Sequence, residues 1–124
     1  DEFIARRAQL AQLYRELLAD VPEVRPLGFP EYSFRHAWHL FVVRVASERI
    51  PRDEFMAELK ARNIGTGLHF RAVHAQRYYR DKEYSQVALP HTAWNSARIC
   101  SLPLFPAMTP DDVRDVVAAI KDIF

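Results

Sequence analysis

The first eighteen residues carry a helical rhythm. Phe3, Leu10, Leu13, Tyr14, Leu17 and Leu18 recur at spacings of three, four and seven, and Arg6, Arg7, Arg15 and Glu16 fall on the other side. The pattern predicts an amphipathic helix already running at the first residues, with no cap signal ahead of it. That start, together with the lack of an initiator Met, leads to the expectation that the chain is cut from a longer protein. Pro22, Pro26, Gly28 and Pro30 then break the rhythm, so residues 21–34 read as an irregular connection. From His39 to Val45 the run is nearly continuous and rich in aromatic and β-branched residues, which predicts a central strand buried on both faces. A turn over Ser47–Pro51 leads into a helix with Asp53 and Glu54 in its first turn, where the helix dipole favours negative charge. Phe55, Met56 and Leu59 form its apolar face, and Gly65 is the expected stop.

The second half alternates short elements. Gly65-Thr66-Gly67-Leu68-His69-Phe70 reads as a short extended segment, and residues 74–80 as a short helix or turn. Thr92, after Pro90, is placed to cap a further short helix. Ser101-Leu102-Pro103-Leu104-Phe105-Pro106 is expected at a sheet edge, because its two prolines remove ladder donors. Thr109-Pro110-Asp111-Asp112 is a strong helix start, and Val113, Val116, Val117 and Ile120 make the stripe of that last helix. No internal repeat is evident. The order implies an α+β fold: a small, mainly antiparallel sheet with helices packed on it.

At 124 residues the chain suits one domain, and 49% hydrophobic with 27% charged residues excludes a disordered or low-complexity class. No apolar run approaches the roughly 20 residues of a membrane span, so membrane insertion is not expected. Lys and Arg number 17 against 16 acids, interleaved rather than striped, which argues against nucleic acid as a partner. The single cysteine, Cys100, permits no internal disulfide and fits a reducing cytoplasm.

Four features invite a chemical reading. His36-x-x-His39 has the look of a metal pair, but on a strand residues three apart point to opposite faces and no Cys or carboxylate cluster accompanies them. Cys100 lies in an apolar run with His91 nine positions upstream and no third partner, so it reads as a buried, inert thiol. In Gly65-x-Gly67-Leu68-His69-Phe70-Arg71, strand alternation puts His69 and Arg71 on one face and Phe70 on the other. That face presents an imidazole and a guanidinium to an anionic ligand, or else is a polar edge strand with a solvated Arg. Tyr78, Tyr79 and Trp94 read either as core packing or as a wall beside a ligand or partner subunit.

Three stretches resemble a known family. They are His36-Ala37-Trp38-His39-Leu40-Phe41, Gly65-Thr66-Gly67-Leu68-His69-Phe70-Arg71-Ala72, and Trp94-Asn95-Ser96 followed by Arg98 through Pro106. Together they resemble the C-terminal domain of the DegT-type sugar-nucleotide aminotransferases, pyridoxal-phosphate (PLP) enzymes of fold type I, over about residues 1–124. The Gly-Thr-Gly-Leu-His-Phe-Arg, Trp-Asn-Ser and Ser-Leu-Pro-Leu-Phe-Pro stretches narrow the likeness to the branch that makes UDP-4-amino-4-deoxy-L-arabinose for lipid A modification and polymyxin resistance. The resemblance implies amino transfer from glutamate to a UDP-linked 4-keto pentose, with 2-oxoglutarate as co-product, in a cytoplasmic homodimer. It also implies that the PLP-bearing lysine lies in a large N-terminal domain outside this chain. Lys60, Lys82 and Lys121 match no such motif, so no catalytic residue and no bound cofactor are expected in this chain alone. His69 carries over as a substrate-side contact, Arg71 as a weaker carboxylate or phosphate contact, and Thr66 and Phe70 as weaker substrate contacts still. A hexose-specific relative of the same group and a stand-alone α+β ligand-binding module are the alternatives.

Overall fold

The computed structural model describes residues 1–82 and 87–124. Helix α1 spans Glu2–Leu17 and strand β1 spans Val24–Pro26. Strand β2 (Phe41–Val45) is followed by helix α2 (Arg52–Ala61). A 3-10 turn at Val73–Ala75 leads to two short helices, α3 (Arg77–Arg80) and α4 (Pro90–Ser96). Strand β3 (Ile99–Leu102) and helix α5 (Pro110–Ile123) complete the chain. The sheet has the order β1-β2-β3 and is antiparallel throughout. The α+β expectation from the sequence therefore stands.

One face of this sheet makes the core. Phe41 lies opposite Leu102, Val43 opposite Cys100, and Val45 opposite Val24, and all six side chains are buried. Leu10, Ala11 and Tyr14 of α1, Phe55 and Leu59 of α2, and Val113, Val116, Val117 and Ile120 of α5 close over them. Tyr14 is wholly buried, stacks on Phe41 at 4.7 Å and donates its hydroxyl to the Pro103 carbonyl at 3.0 Å. Burial holds the Tyr14 hydroxyl well above the ordinary phenol range, with the Asp112 carboxylate adding to it.

Helix ends follow local chemistry. Thr109 and Asp112 form a reciprocal capping box, with Pro110 at the first helical position, as the sequence predicts. Helix α2 ends elsewhere than expected. Asn63, not Gly65, takes the left-handed conformation at φ 62°. Ile64 N–H donates to Leu59 and Asn63 N–H to Lys60, the paired bonds of a Schellman motif. Asn tolerates this conformation better than most residues, so a glycine is not required there. At the other end of the chain Asp1 sits at the α1 N-cap, but its carboxylate makes no cap bond and instead pairs with Arg35 at 2.7 Å.

Other sequence expectations change. Strand β2 is central but not buried on both faces: its burial alternates, with Val42 and Arg44 half-exposed. The run looked continuous because Val42 is apolar although it faces outward. Residues 21–34 contain β1, hidden in the sequence by its closing proline. Thr92 caps nothing: α4 starts at Pro90, leaving Thr92 inside the helix. Gly65–Phe70 is not a strand, since only Gly67 pairs, through one antiparallel bridge to Ser101. Phe3 heads the apolar stripe of α1 yet is 66% exposed. Three arginines placed on the polar side of α1 instead tie it to loops. Arg6 donates to the Met108 carbonyl, Arg7 to that of Ala37, and Arg15 to that of Leu27.

Candidate functional site

The glycine-flanked segment reaches the outer edge of β3. Gly67 and Ser101 exchange both backbone hydrogen bonds, at 3.0 and 2.7 Å. Beside this bridge the His69 ring lies over the Gly67 Cα, and its Nδ1 is 3.0 Å from the buried Ser101 hydroxyl. A Cβ at position 67 would collide with the His69 ring, including Nδ1 at 3.0 Å, so glycine is what lets the imidazole sit there. The peptide between His69 and Phe70 is cis. Thr66, half-buried, immediately precedes the bridge.

Beyond His69 the chain turns away from the sheet edge. Phe70 is 75% exposed, and its ring meets the His69 ring edge-on at 5.3 Å. Phe70 and Arg71 line an open cleft of about 1000 Å³, which His69 does not line. The expected common face of His69 and Arg71 is therefore not formed. One bridge does not enforce strand alternation, and Phe70 shares the cleft with Arg71 instead.

The cleft is built by four segments. Arg52 comes from the first turn of α2, Phe70 and Arg71 from the segment leaving the sheet edge, and Arg77 and Arg80 from α3, with Ala93 and Ser96 of α4 on the remaining side. The Ala72 N–H donates to the Ser96 hydroxyl at 2.9 Å, fixing the segment against α4. Arg52 is the structural post: its side chain is only 8% exposed. It donates Nη1 to the carbonyls of Ser96 (3.2 Å) and Ile99 (2.8 Å) and Nε to Asp53. Asp53 is the one carboxylate lining the cleft among the described residues.

Arg52, Arg77 and Arg80 escape the sequence reading. A signal exists for Arg52. It falls three, four and seven positions ahead of Phe55, Met56 and Leu59, so it continues the apolar stripe of α2 one turn back. It is also a cation at a helix N-terminus, where the dipole disfavours one. A guanidinium in both unfavourable settings is held there by specific acceptors.

The remaining candidates resolve simply. Cys100 is 1% exposed, and burial pushes its thiol up to about 12, with the Arg52 charge opposing only part of the shift. Burial thus disfavours the thiolate that a nucleophile requires. No cluster of three metal-ligating side chains occurs among the described residues, and the His36 Nδ1 accepts the Trp38 N–H at 2.8 Å. Tyr78, Tyr79 and Trp94 are exposed rather than core. The guanidinium carbons of Arg44 and Arg98 lie 5.0 and 4.5 Å from the Trp94 ring centroid. Lys60 and Lys121 are exposed on helices, and Lys82 donates to the Tyr78 hydroxyl at 3.0 Å. None of the three lysines lines the cleft. Among the described residues no helix is long and apolar enough to cross a membrane.

Comparison with solved proteins places this architecture. The chain is similar to DesI, solved in the presence of its TDP-sugar product: 32% identity, TM-score 0.86, 97% of this chain and 31% of that one. It is similar to DesV of S. venezuelae, solved in complex with a ketimine intermediate: 30% identity, TM-score 0.83, 99% of this chain and 32% of that one. A DegT DnrJ EryC1 StrS aminotransferase from Brucella abortus matches at 26% identity and TM-score 0.79, over 98% of this chain and 31% of that one. The chain thus spans about a third of the length of the proteins it matches. Residues 1–121 match the sequence pattern of one family almost end to end, and the chain belongs to that family, the DegT/DnrJ/EryC1/StrS aminotransferases.

Proposed function

We propose that residues 1–124 are the C-terminal small domain of a PLP-dependent sugar-nucleotide aminotransferase, whose large cofactor-binding domain lies outside this chain. The observations that carry the reading are the match of residues 1–121 to the aminotransferase family and the near-complete overlap of this chain with one third of DesI, solved with its TDP-sugar product. When bound, PLP supplies the electron sink for amino transfer. The residues here do not fit it: two lysines are solvated on helices, the third is engaged with Tyr78, and none lines the cleft. This chain alone is accordingly inactive, and its own residues serve the substrate.

In this reading His69 contacts and orients the substrate, its ring held by Ser101 and by the absent side chain of Gly67. Arg71 takes a carboxylate or phosphate, and Phe70 and Thr66 complete the substrate wall. The finer assignment is to a UDP-linked 4-keto pentose, which receives the amino group of glutamate at C4 to give UDP-4-amino-4-deoxy-L-arabinose and 2-oxoglutarate. It is supported by the Gly65–Arg71 run, Trp94-Asn95-Ser96 and Ser101–Pro106. The product would serve lipid A modification, made by a cytoplasmic homodimer.

The test joins this chain to its lysine-bearing domain and follows 2-oxoglutarate formation from glutamate. The UDP-4-keto pentose should be preferred over a TDP-4-keto hexose by about tenfold or more in kcat/KM. Equal or better use of the hexose would return the hexose alternative. His69→Ala should lower kcat/KM by about tenfold or more while the cofactor absorbance persists.

A further inference from the structure

We propose that Ser101 is a positioning residue that sets the tautomer of His69. Its hydroxyl donates to the His69 Nδ1, which leaves the neutral imidazole with its proton on Nε2. His69 then meets the substrate as a hydrogen-bond donor and not as a base. The substrate contact rests on the function proposed above, whereas the tautomer rests on the geometry of this chain. Ser101 exchanges both its backbone N–H and its carbonyl with Gly67, so its hydroxyl is the group left to act. Its neighbours Cys100 and Leu102 pair with the core residues Val43 and Phe41, which puts the Ser101 side chain on the sheet face opposite the core. Ser101 is buried there all the same, with the His69 Nδ1 3.0 Å from its hydroxyl oxygen. Among the described residues that hydroxyl has no other polar partner.

Two arrangements of the protons compete. A serine hydroxyl carries one proton and a neutral imidazole carries one on either nitrogen. If Nδ1 holds the ring proton, it donates to the hydroxyl oxygen, and the Ser101 proton is left without an acceptor in a buried place. If the hydroxyl donates instead, Nδ1 accepts and both groups are satisfied. The unmade donor disfavours the first arrangement by about fivefold or more. The other ring nitrogen, Nε2, has no partner among the described residues. Arg44 Nε is the one buried side-chain nitrogen or oxygen among them that lacks a partner, so Nε2 is open to solvent. The ring is steadied on two further sides, over the bare Gly67 Cα and edge-on to Phe70 at 5.3 Å. A proton fixed on an open Nε2 suits an oxygen acceptor of the substrate, whereas a base needs that nitrogen bare.

The experiment has two arms on the full-length protein. In the first, NMR of nitrogen-labelled histidine rings is recorded without substrate, and the His69 signals are those lost in His69→Gln. The neutral ring should show a protonated Nε2 and a bare Nδ1, and Ser101→Ala should move that balance towards Nδ1–H. A wild-type ring protonated at Nδ1, or a balance unmoved by Ser101→Ala, would overturn the assignment. The wild-type spectrum decides the tautomer even where a variant folds poorly. In the second arm, kcat/KM for amino transfer is compared among variants that retain cofactor absorbance. His69→Gln supplies an amide N–H near the place of Nε2 but takes up no proton, so it should stay within about threefold of wild type where His69→Ala loses about tenfold or more. Equal losses in the two variants would overturn the donor role. Ser101→Ala should lose about threefold or more alone and nothing further in the His69→Ala background. An undiminished loss there would overturn the positioning role. An Nε2-protonated ring in a protein without amino transfer sinks the proposed function and leaves the tautomer. Transfer with a ring protonated at Nδ1 does the reverse.

Discussion

Replacing Arg52 by Met should unfasten the α2–α4–β3 junction. The guanidinium is 8% exposed and donates to two backbone carbonyls, Ser96 and Ile99. Methionine matches the aliphatic stem in volume, so little packing is lost. What disappears is two charge-assisted hydrogen bonds. Such bonds contribute about 1.5–3 kcal/mol each. The cleft admits water to part of the junction, so the lower end applies, and the sum is about 3 kcal/mol. The pair with Asp53 adds little, because that carboxylate is 81% exposed and screened. Against a total stability of about 5–15 kcal/mol, a loss of about 3 is large. Arg52→Lys keeps the charge, but its side chain is one bond shorter than the path to Nη1, the single atom that serves both carbonyls, and it should lose about half as much. Equilibrium urea unfolding of the 124-residue chain reads both, provided the m-value is constant. A change below about 0.5 kcal/mol for Arg52→Met would refute the reasoning, since water would then serve the two carbonyls as well as arginine does.

Three further outcomes follow from the same structure. Gly67→Ala drives a methyl group into the His69 ring, so the His69–Ser101 contact should break, seen as altered His69 imidazole NMR shifts. Because the ring can swing aside, the stability loss should stay below about 1.5 kcal/mol, whereas unchanged His69 shifts would contradict the placement. Cys100 should resist alkylation at pH 8 until the chain unfolds. Its folded pKa is raised from 9.0 to about 12, so the native state binds more protons across that interval, and stability should fall as pH rises through it, by up to about 1.4 kcal/mol per unit. Cys100→Ala should flatten that slope, and an identical slope in the variant would assign it elsewhere. Thr109→Ala removes the hydroxyl half of the α5 capping box and should cost about 1 kcal/mol. Hydrogen bonds from the Thr109 backbone and then its hydroxyl hold the Asp112 carboxyl below its usual range. The share of the cap that the hydroxyl gives to the ionised carboxylate is therefore present above the ordinary Asp pKa and lost as pH falls through the lowered one, so the gap between wild type and variant should narrow in acid urea titrations.

Where residues settle structure by local chemistry, the chain was legible. The α5 start required only Thr109, Pro110 and Asp112, all within four positions, and the α5 stripe needed only the helical period. Strand β2 was visible from composition, but its two faces were not: Val42 and Val43 look alike in sequence, and only the sheet's single covered face separates them. Strand β1 was lost to Pro26, which a strand tolerates at its end. Gly65 reads as the stop of α2 because glycine is the commonest left-handed residue, while Asn63 fills the role two positions earlier. At the candidate site, Gly67 and His69 were visible as a motif, but the Ser101 partner lies 32 positions away. The arginine cleft was invisible for the same reason, because its members belong to three segments and share nothing in local spacing.

Both borders of the sheet are guarded. On one flank, Pro26 ends β1 without an N–H to offer a newcomer. On the other, Gly67 already occupies the middle of β3, and Pro103 halts the strand one residue after Leu102. Among the described residues, neither sheet border offers a neighbouring polypeptide a long row of free donors and acceptors. This arrangement disfavours extension of the sheet and leaves the exposed rings of Phe29, Tyr32 and Phe34 as the apolar surface on that side of the chain.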